Sequence, residues 1–288
     1  MKRPNELEAE EMAMGTLVEL TGVFEGIASM RIAQIKTQVL QSTEFFHALW
    51  NIYSQLNAGA FFGFGRSQSK QEIVDKDLYV VITAEAGFSG DIDQKLIKLM
   101  LKTFKEGKQD IIVIGHHGAI QLAQRGISYK KYYKLPNRDK NINVSPIIRE
   151  VKQYKSTTVF YQQYVSLMTQ DAKSIELSTA VKQEGGNAGQ KDEIISEANY
   201  IFEPSTYDVV DHLEQSMMHI AVSQLILESK LAQYASRFRA MTASHQRADE
   251  AKADLHLEYN RAKRAGKDAR LKEIVNGLKA TRSPGAVS

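Results

Sequence analysis

The chain has 288 residues, of which 43% are apolar and 25% are charged, proportions that are ordinary for a soluble protein. It contains no cysteine, which excludes disulfides, thiol nucleophiles and cysteine-based metal sites. A net charge of +3 is too small to indicate a nucleic-acid partner. No run of about 18 apolar residues is present, and the acidic opening lacks the apolar core of a secretion signal, so neither a membrane span nor secretion is expected.

The two ends of the chain are predicted to be long helices. The prolines fall at positions 4, 136, 146, 204 and 284, which leaves 5–56 and 205–283 without proline, and glycine is sparse in both spans. Spans of this length exceed the usual helices of globular proteins and favour a coiled coil.

An apolar repeat that alternates steps of three and four residues supports this prediction. In the N-terminal span it comprises Ala28, Ile32, Ile35, Val39, Ser42, Phe46, Leu49, Tyr53 and Leu56. In the C-terminal span it comprises Leu213, Met217, Ile220, Gln224, Leu227, Leu231, Tyr234, Phe238 and Met241. A 3.5-residue repeat lets two helices supercoil, so we expect the two chain ends to pair as antiparallel helices.

The C-terminal repeat continues through smaller and more polar residues, from His245 to Gly266. About 70 helical residues at a rise of 1.5 Å each would form a rod on the order of 100 Å long, so part of it must project from any domain of this chain. Because an isolated helix of weak apolar content frays in water, we expect other subunits to surround the projecting end.

The middle of the chain has the pattern of an α/β domain. LYVVIT (78–83) and DIIVIG (110–115) are apolar runs typical of buried strands, and a helical stretch follows each of them. TTVFYQQYVSL (157–167) and SIELSTAV (174–181) predict extended or hairpin strands, and KQEGGNAGQKDE (182–193) predicts a flexible loop.

The expected fold class is therefore α/β, with a long antiparallel coiled coil formed by N- and C-terminal helices and an inserted Rossmann-like domain. The expected divisions are 1–58 for the first helix, 76–204 for the α/β domain and 205–282 for the second helix.

AEAGFSGDID (84–93) lies between a strand and a helix, where nucleotide-binding loops occur. It lacks both G-x-G-x-x-G and the Gly-Lys-Ser/Thr of a phosphate loop, so a tight turn at Gly87 and Gly90 explains it without a ligand. Asp91 and Asp93 would complement the dipole of the following helix.

His116 and His117 follow the second strand, at the sheet edge where α/β enzymes often bind ligands. Two adjacent histidines alone do not supply the spacing of a metal site. A nucleotide- or substrate-binding enzyme would nevertheless need a ligand here or at the 84–93 turn. The histidines of the long C-terminal helix are interpreted as surface or coiled-coil residues: His212, His219, His245 and His256.

Charge is distributed unevenly between the two ends. From Lys252 to Arg282 there are nine Lys or Arg and four acids, whereas 5–25 contains six acids and no base. Antiparallel pairing would place the acidic start beside the basic end. Each exposed ion pair is worth at most about 1 kcal/mol, so these charges would set the register more than the stability.

The C-terminal stretch 227–275 resembles the signature of the gamma subunit of the rotary ATP synthase. FEPS (202–205), TAEAGFSGDID (83–93) and LTGVFEGIAS (20–29) are similar to further segments of that family, in the same order. The residues that fit the signature are Glu228, Ser229, Arg237, Ala240, Met241, Ala248, Leu257, Tyr259, Asn260, Arg261, Ala262, Ala265, Glu273, Ile274 and Val275.

The resemblance implies a central rotor stalk, without catalytic residues, cofactor or metal, that couples proton or sodium flow to ATP synthesis or hydrolysis at the beta subunits. The implied partners are the alpha, beta and epsilon subunits and the membrane c-ring, at the cytoplasmic face of the cell membrane. The residues expected to contact other subunits are Asn260, Arg261, Lys263, Arg264, Arg237 and Met241.

The sequence departs from the family at two places. Lys263 and Arg264 stand where the family has an Arg-Gln pair, and the family's basic opening is replaced by an acidic one. Two alternatives therefore stay open: the shaft of a rotary motor not used for ATP synthesis, and a stand-alone α/β nucleotide-binding enzyme.

Overall fold

The computed structural model of the chain describes residues 2–56, 73–135, 142–186, 203 and 205–282. The chain forms two compact units: Met1–Gly26 with Met241–Ser288, called here the terminal unit, and Ile27–Ala240, called the sheet unit. Two long helices, α1 (Pro4–Gln55) and α6 (Thr206–Arg282), contribute residues to both units.

The remaining elements all belong to the sheet unit. In chain order they are β1 (Val74–Ile82), α2 (Ile92–Thr103), β2 (Gln109–Ile114), α3 (His116–Ala123), β3 (Lys131–Tyr133), α4 (Ser145–Val151), β4 (Tyr154–Tyr164), β5 (Gln170–Glu176) and α5 (Leu177–Gly186).

The starts of the two long helices follow from local chemistry. Helix α1 begins at Pro4, whose missing N–H and fixed φ suit a first helical position. Helix α6 begins after Ser205, whose hydroxyl accepts from the Asp208 backbone N–H (3.2 Å) and donates to the Asp208 carboxylate (2.7 Å). This reciprocal cap satisfies an orphan N–H of the first turn.

The five strands form one sheet in the order β3-β2-β1-β4-β5. Strands β3, β2, β1 and β4 are parallel to their neighbours, and β4 pairs with β5 as an antiparallel hairpin. The order reverses at β1, because the chain passes from β1 to β2 on one side and returns to β4 on the other.

Alternate residues of the strands point to opposite faces of the sheet, and each face has its own core. Leu78, Val80 and Ile82 of β1 pack with α1, α4, α5 and α6. Tyr79 and Val81 pack with α2 and α3 on the other face. Both faces of this sheet are therefore covered, which explains why its strands are continuous apolar runs.

Within the sheet unit, α1 and α6 run antiparallel. Gln224 donates to Thr43 (2.9 Å), and Tyr53 donates to Glu214 (3.0 Å), so ten residues forward along α1 match ten residues backward along α6. Residues of the predicted repeat lie at their interface, where Ile32, Ile35, Leu227 and Leu231 form a buried cluster together with Ala235, which is outside the repeat.

Within the terminal unit the two helices are also antiparallel. A Cβ placed at Gly22 would lie 3.6 Å from the His245 ring, and one at Gly15 would lie 3.7 Å from the Lys252 side chain. One heptad along α1 thus matches one heptad back along α6. The predicted fold class, an antiparallel coiled coil with an α/β domain, is confirmed. The division at 1–58, 76–204 and 205–282 stays a prediction.

Two local predictions were wrong. SIELSTAV (174–181) is not extended throughout, because β5 ends at Glu176 and α5 begins at Leu177. Leu177 and Val181 are both fully buried, and their four-residue spacing puts them on one face of a helix. The loop predicted for 182–193 is helical as far as Gly186, and 187–193 lies outside the described residues.

Candidate functional site

The turn at 84–91 is held by helix α6 through its backbone carbonyls. Arg237 donates to the carbonyls of Gly87 (3.2 Å) and Ala86 (3.1 Å), and Ser236 donates to the carbonyl of Ser89 (2.7 Å). The turn has positive φ at Phe88 (67°) and Gly90 (65°). Gly90 therefore provides the tight turn as predicted, whereas the second left-handed position is occupied by Phe88 and not by Gly87. The phenyl ring of Phe88 is exposed.

Asp93 lies in the first turn of α2 and is almost completely buried. Its carboxylate accepts from the Ala84 backbone N–H (3.2 Å), from His117 Nδ1 (3.1 Å) and from Gln162 Nε2 (2.8 Å). The hydrogen bond to Asp93 raises the pKa of His117 above its usual value, although burial and the charge of Arg237 act in the opposite direction.

The same polar network continues into helix α6. The side-chain oxygen of Gln162, in β4, accepts from the Ser229 hydroxyl and from Gln233 Nε2 (3.2 Å). Gln162, Ser229 and Gln233 are all buried. Buried polar groups that are fully hydrogen-bonded fix one arrangement of the elements that carry them, so this network sets how α6 lies on the sheet.

These groups occupy the crevice beyond the carboxyl ends of β1 and β4, where the strand order reverses. Ligands of open α/β sheets bind at this position. Here Gln162, which also binds Asp93, contacts Ser229 and Gln233 of α6, so the protein's own helix fills the crevice.

Sequence reasoning missed this network. It assigned Asp93 to the helix dipole and gave His117 no partner. The available signal was topological: both residues come directly after neighbouring parallel strands, whose carboxyl ends meet at one edge. Ser229 and Gln233 carried no such signal, because they lie on a helix more than 60 residues away in sequence.

The described residues contain no group of three or more His, Cys, Asp or Glu side chains placed to hold a metal ion. In the 84–91 turn, the carbonyls of Ala86, Gly87 and Ser89 accept from α6. The turn therefore binds the helix through acceptors, whereas a phosphate loop presents N–H donors.

Four of the predicted subunit contacts lie on neighbouring turns of α6 in the terminal unit. Arg261, Lys263 and Arg264 are exposed, and Asn260 is half-buried. Lys263 Nζ contacts the hydroxyl of Tyr259 (3.2 Å) and lies 5.1 Å from the centre of its ring.

The other two predicted contacts have roles within the chain. Met241 is only 6% exposed in the terminal unit. Arg237 belongs to the sheet unit, where it holds the 84–91 turn and lies 5.3 Å from the Tyr234 ring. Contact of any of the six with another subunit stays a prediction.

Every side chain of α6 from Lys263 to Lys279 is exposed. Four large apolar residues in this segment recur at helical spacing and form what is called here the tip stripe: Leu271, Ile274, Val275 and Leu278. At 3.6 residues per turn, the stripe lies about 130° around α6 from the residues that continue the coiled-coil repeat, Ala248 to Ala262. The stripe therefore faces away from the side that α6 turns toward α1.

Helix α1 has a corresponding outward face in the terminal unit. Glu11 accepts from His256 (2.9 Å), and Val18 O accepts from His245 (3.0 Å), so these positions face α6. Three exposed large apolar residues lie on the other side of α1: Leu17, Leu20 and Val23. Met12 is also exposed, but it lines a cavity with Lys252 and His256 of α6. Both helices of this unit thus carry apolar side chains on their outer faces.

No helix among the described residues is both long enough and apolar enough to pass through a lipid bilayer.

The family model described as ATP synthase matches residues 12–281 of the chain. The ATP synthase gamma chain of Chlorobium phaeobacteroides (strain BS1) is 26% identical over 282 residues, which cover 91% of this chain and 92% of that one. The ATP synthase gamma chain of Prosthecochloris aestuarii is 25% identical over 280 residues, with 91% and 92% covered.

Solved structures share the fold at lower identity. A chain of the Euglena gracilis mitochondrial ATP synthase, in a structure of OSCP, F1 and c-ring, matches with a TM-score of 0.64 at 13% identity, covering 99% of this chain and 97% of that one. A chain from the central stalk and c-ring of the Tetrahymena thermophila mitochondrial ATP synthase matches with a TM-score of 0.56 at 15% identity, covering 78% and 98%. With a match over nearly its whole length, the chain belongs to the ATP synthase family, among the gamma chains.

Proposed function

We propose that this chain is a non-catalytic rotor shaft, and that its terminal unit turns inside a ring of alpha and beta subunits. The observation that carries the proposal is the segment Lys263–Lys279, a helix whose every side chain is exposed and which bears the tip stripe. A single helix of this length is marginal in water, and surrounding protein would both stabilise it and cover its apolar residues.

The two outward apolar faces fit a surrounding ring better than a single docking partner. The tip stripe faces away from the coiled-coil side of α6, and Leu17, Leu20 and Val23 face away from α6 on α1. A partner on one side would cover only one of these faces. The sequence analysis described the projecting end as weakly apolar. The exposed apolar side chains of both helices give the terminal unit more apolar surface for contact with a ring than that description implies.

Such a shaft couples rotation to chemistry through its asymmetry. Two helices with different outer faces present a different surface to each catalytic subunit of the ring. As the shaft turns, each beta subunit meets these faces in succession, and its conformational equilibrium shifts accordingly. Proton or sodium flow would drive this rotation during synthesis, and ATP hydrolysis would drive it in reverse.

The sheet unit would lie outside the ring, beside the epsilon subunit and the membrane c-ring. The Tetrahymena and Euglena structures whose chains share this fold are described as containing a c-ring, which supports that placement. The complex would then be peripheral at the cytoplasmic face of the membrane, held there through its partners.

The filled crevice disfavours the alternative of a stand-alone nucleotide-binding enzyme. Buried Asp93 and Gln162 are hydrogen-bonded to the chain itself at the switch point of the sheet. A ligand there would have to displace Ser229 and Gln233 of α6 and leave buried polar atoms without partners, at a cost of about 1–3 kcal/mol each.

Of the six predicted contact residues, Asn260 and Arg264 are the best placed to contact a surrounding subunit. Steps of four and three residues lead from Asn260 through Arg264 and Lys267 to Leu271, so these residues share the face of the tip stripe. Arg261 and Lys263 flank that face. Two cations, Lys263 and Arg264, would favour acidic residues on the beta subunits.

The test is co-purification of the tagged chain with alpha and beta subunits, with wild type compared with Ile274→Asp and Leu278→Asp. A carboxylate on the tip stripe should reduce assembly or ATP-driven rotation, because it would have to lose its water inside the ring. The matched control is Asn276→Asp, which adds the same charge on the other side of the same turn.

Each outcome is informative. Loss of assembly or rotation in the stripe variants, with Asn276→Asp unchanged, supports the shaft. Equal behaviour of all three variants, or no alpha and beta subunits with the wild-type chain, overturns it. Assembly with alpha and beta subunits but no synthesis in sealed vesicles would favour a rotary motor that serves another purpose.

A further inference from the structure

A cavity of about 260 Å³ opens in the sheet unit, next to the 84–91 turn. It lies at the carboxyl edge of the sheet, where Glu85 and Ala86 follow β1 and Leu135 follows β3. Its described lining residues are Ile27, Arg31, Glu85, Ala86, Leu135, Lys230, Gln233, Tyr234 and Arg237. The cavity adjoins the crevice that Ser229 and Gln162 fill, and Gln233 borders both.

The lining is rich in cations and hydrogen-bond donors. Arg31, Lys230 and Arg237 come from two different helices and converge on the one cavity, against a single described acid, Glu85. Lys230 is only 5% exposed. An oxyanion in the cavity would therefore meet this side chain largely out of water, where charge-assisted hydrogen bonds are stronger.

The carboxylate of Glu85 accepts hydrogen bonds from residues at the edge of the sheet. Its oxygens accept from the backbone N–H groups of His116 (3.2 Å) and Leu135 (3.2 Å) and from the hydroxyl of Tyr132 (3.1 Å). These donors hold the carboxylate toward the loops of the sheet.

Arg237 is held in place with donors to spare. Two of its five N–H groups donate to the carbonyls of Ala86 and Gly87, and the rest of the guanidinium remains for another acceptor. Arg31 donates to Gln34 (3.4 Å), and both Arg31 and Lys230 have further contacts within the chain. The chain's own contacts therefore position the cations before any ligand arrives, which lowers the entropy lost on binding.

We propose that this cavity binds a small oxyanion, either inorganic phosphate or the terminal phosphate of a nucleotide. A tetrahedral oxyanion offers acceptors in several directions, which matches cationic donors that come from both α1 and α6. The proposal is independent of the rotor function, because all of its residues lie within the sheet unit.

The experiment measures binding of inorganic phosphate and, separately, of ATP to the purified full-length chain by calorimetry. Ionic strength is held constant with chloride, so that general screening does not imitate binding. Arg31→Gln and Lys230→Gln should each weaken phosphate binding about tenfold or more, because each removes one charge-assisted hydrogen bond. Arg31→Gln is the safer variant for folding, since Arg31 is only half-buried.

The matched control is Arg247→Gln, which removes an arginine of the terminal unit that donates to Ala243 O (3.0 Å). Equal affinity for phosphate and ATP would identify the phosphate group as the whole ligand, whereas much tighter ATP binding would identify a nucleotide. The proposal is overturned if neither ligand binds at millimolar concentration, or if Arg31→Gln binds as wild type does. A loss in Arg247→Gln equal to that in Arg31→Gln would also overturn it, because binding would then be nonspecific.

Discussion

His117 Nδ1 lies 3.1 Å from the Asp93 carboxylate, which is buried where α2 begins. The pair joins the carboxyl ends of β1 and β2, because Asp93 follows the β1 turn and His117 follows β2. Gln162 brings β4 to the same carboxylate (2.8 Å). One buried acid therefore connects three strands of the parallel sheet.

Stability of the chain should decrease as pH rises through the titration of His117. The hydrogen bond that His117 donates to Asp93 raises the pKa of His117 in the folded state, so folding favours the protonated ring. This contribution is complete below the unfolded pKa of about 6.5 and is lost as pH rises through the raised folded value. Thermal unfolding between pH 5.5 and pH 9 measures it.

His117→Gln should remove this part of the pH dependence, and His116→Gln is the neighbouring control. The expectation fails if wild type and His117→Gln lose stability in parallel over the same pH range.

Asp93→Asn should destabilise the chain by about 1–3 kcal/mol, because an amide cannot accept all the hydrogen bonds that this carboxylate accepts. Asp91→Asn removes a carboxylate two residues earlier, whose ion pair with Lys95 (3.0 Å) is exposed. That control should change stability by no more than about 0.5 kcal/mol. Urea unfolding of the two variants compares them, and similar midpoints would contradict a special role for Asp93.

Gly115→Ala should be among the most damaging single substitutions, at about 3 kcal/mol or more. Gly115 has a φ of 99°, and a Cβ there would lie 2.0 Å from the Thr83 carbonyl oxygen. Gly107→Ala is the control, since Gly107 has a φ of 83° but nothing within 4 Å of an added Cβ. It should cost only about 1–2 kcal/mol of backbone strain. Chemical denaturation separates the two, and equal losses would mean that backbone strain alone matters at Gly115.

Double replacement of Lys263 and Arg264 by alanine should lower the torque or turnover of the assembled complex. Both side chains are exposed on α6, and Arg264 shares the face of the tip stripe. The control is the double replacement of Arg270 and Lys272, which removes the same charge from the same segment. Single-molecule rotation driven by ATP measures the effect. Unchanged rotation in the first variant would contradict a contact at these positions.

The long-range architecture could be predicted because its signals are repeated along the chain. The 3.5-residue repeat through Ile32, Ile35, Leu227 and Leu231 identified both helices and their pairing, and these residues are buried as expected. The runs 78–83 and 110–115 identified two central strands. Each signal sums over many residues, so no single substitution obscures it.

The polar network could not be predicted, because it depends on where distant residues meet. Asp93 and Ser229 are ordinary surface types in sequence, yet both are buried in the structure and joined through Gln162. The helix α5 was missed for a related reason. Leu177 and Val181 fit a strand run or a helix face equally well over so short a segment.

The buried amide of Gln162 also has a mechanical consequence. Within 27–240, the hydroxyl of Ser229 and the amide of Gln233 bind α6 to strand β4, and Arg237 binds it again at the 84–91 turn. Any twist applied to this part of the helix must carry the sheet with it, since slippage would break several water-excluded hydrogen bonds at once. Within 27–240, the sheet and this part of α6 would therefore turn together as one rigid body.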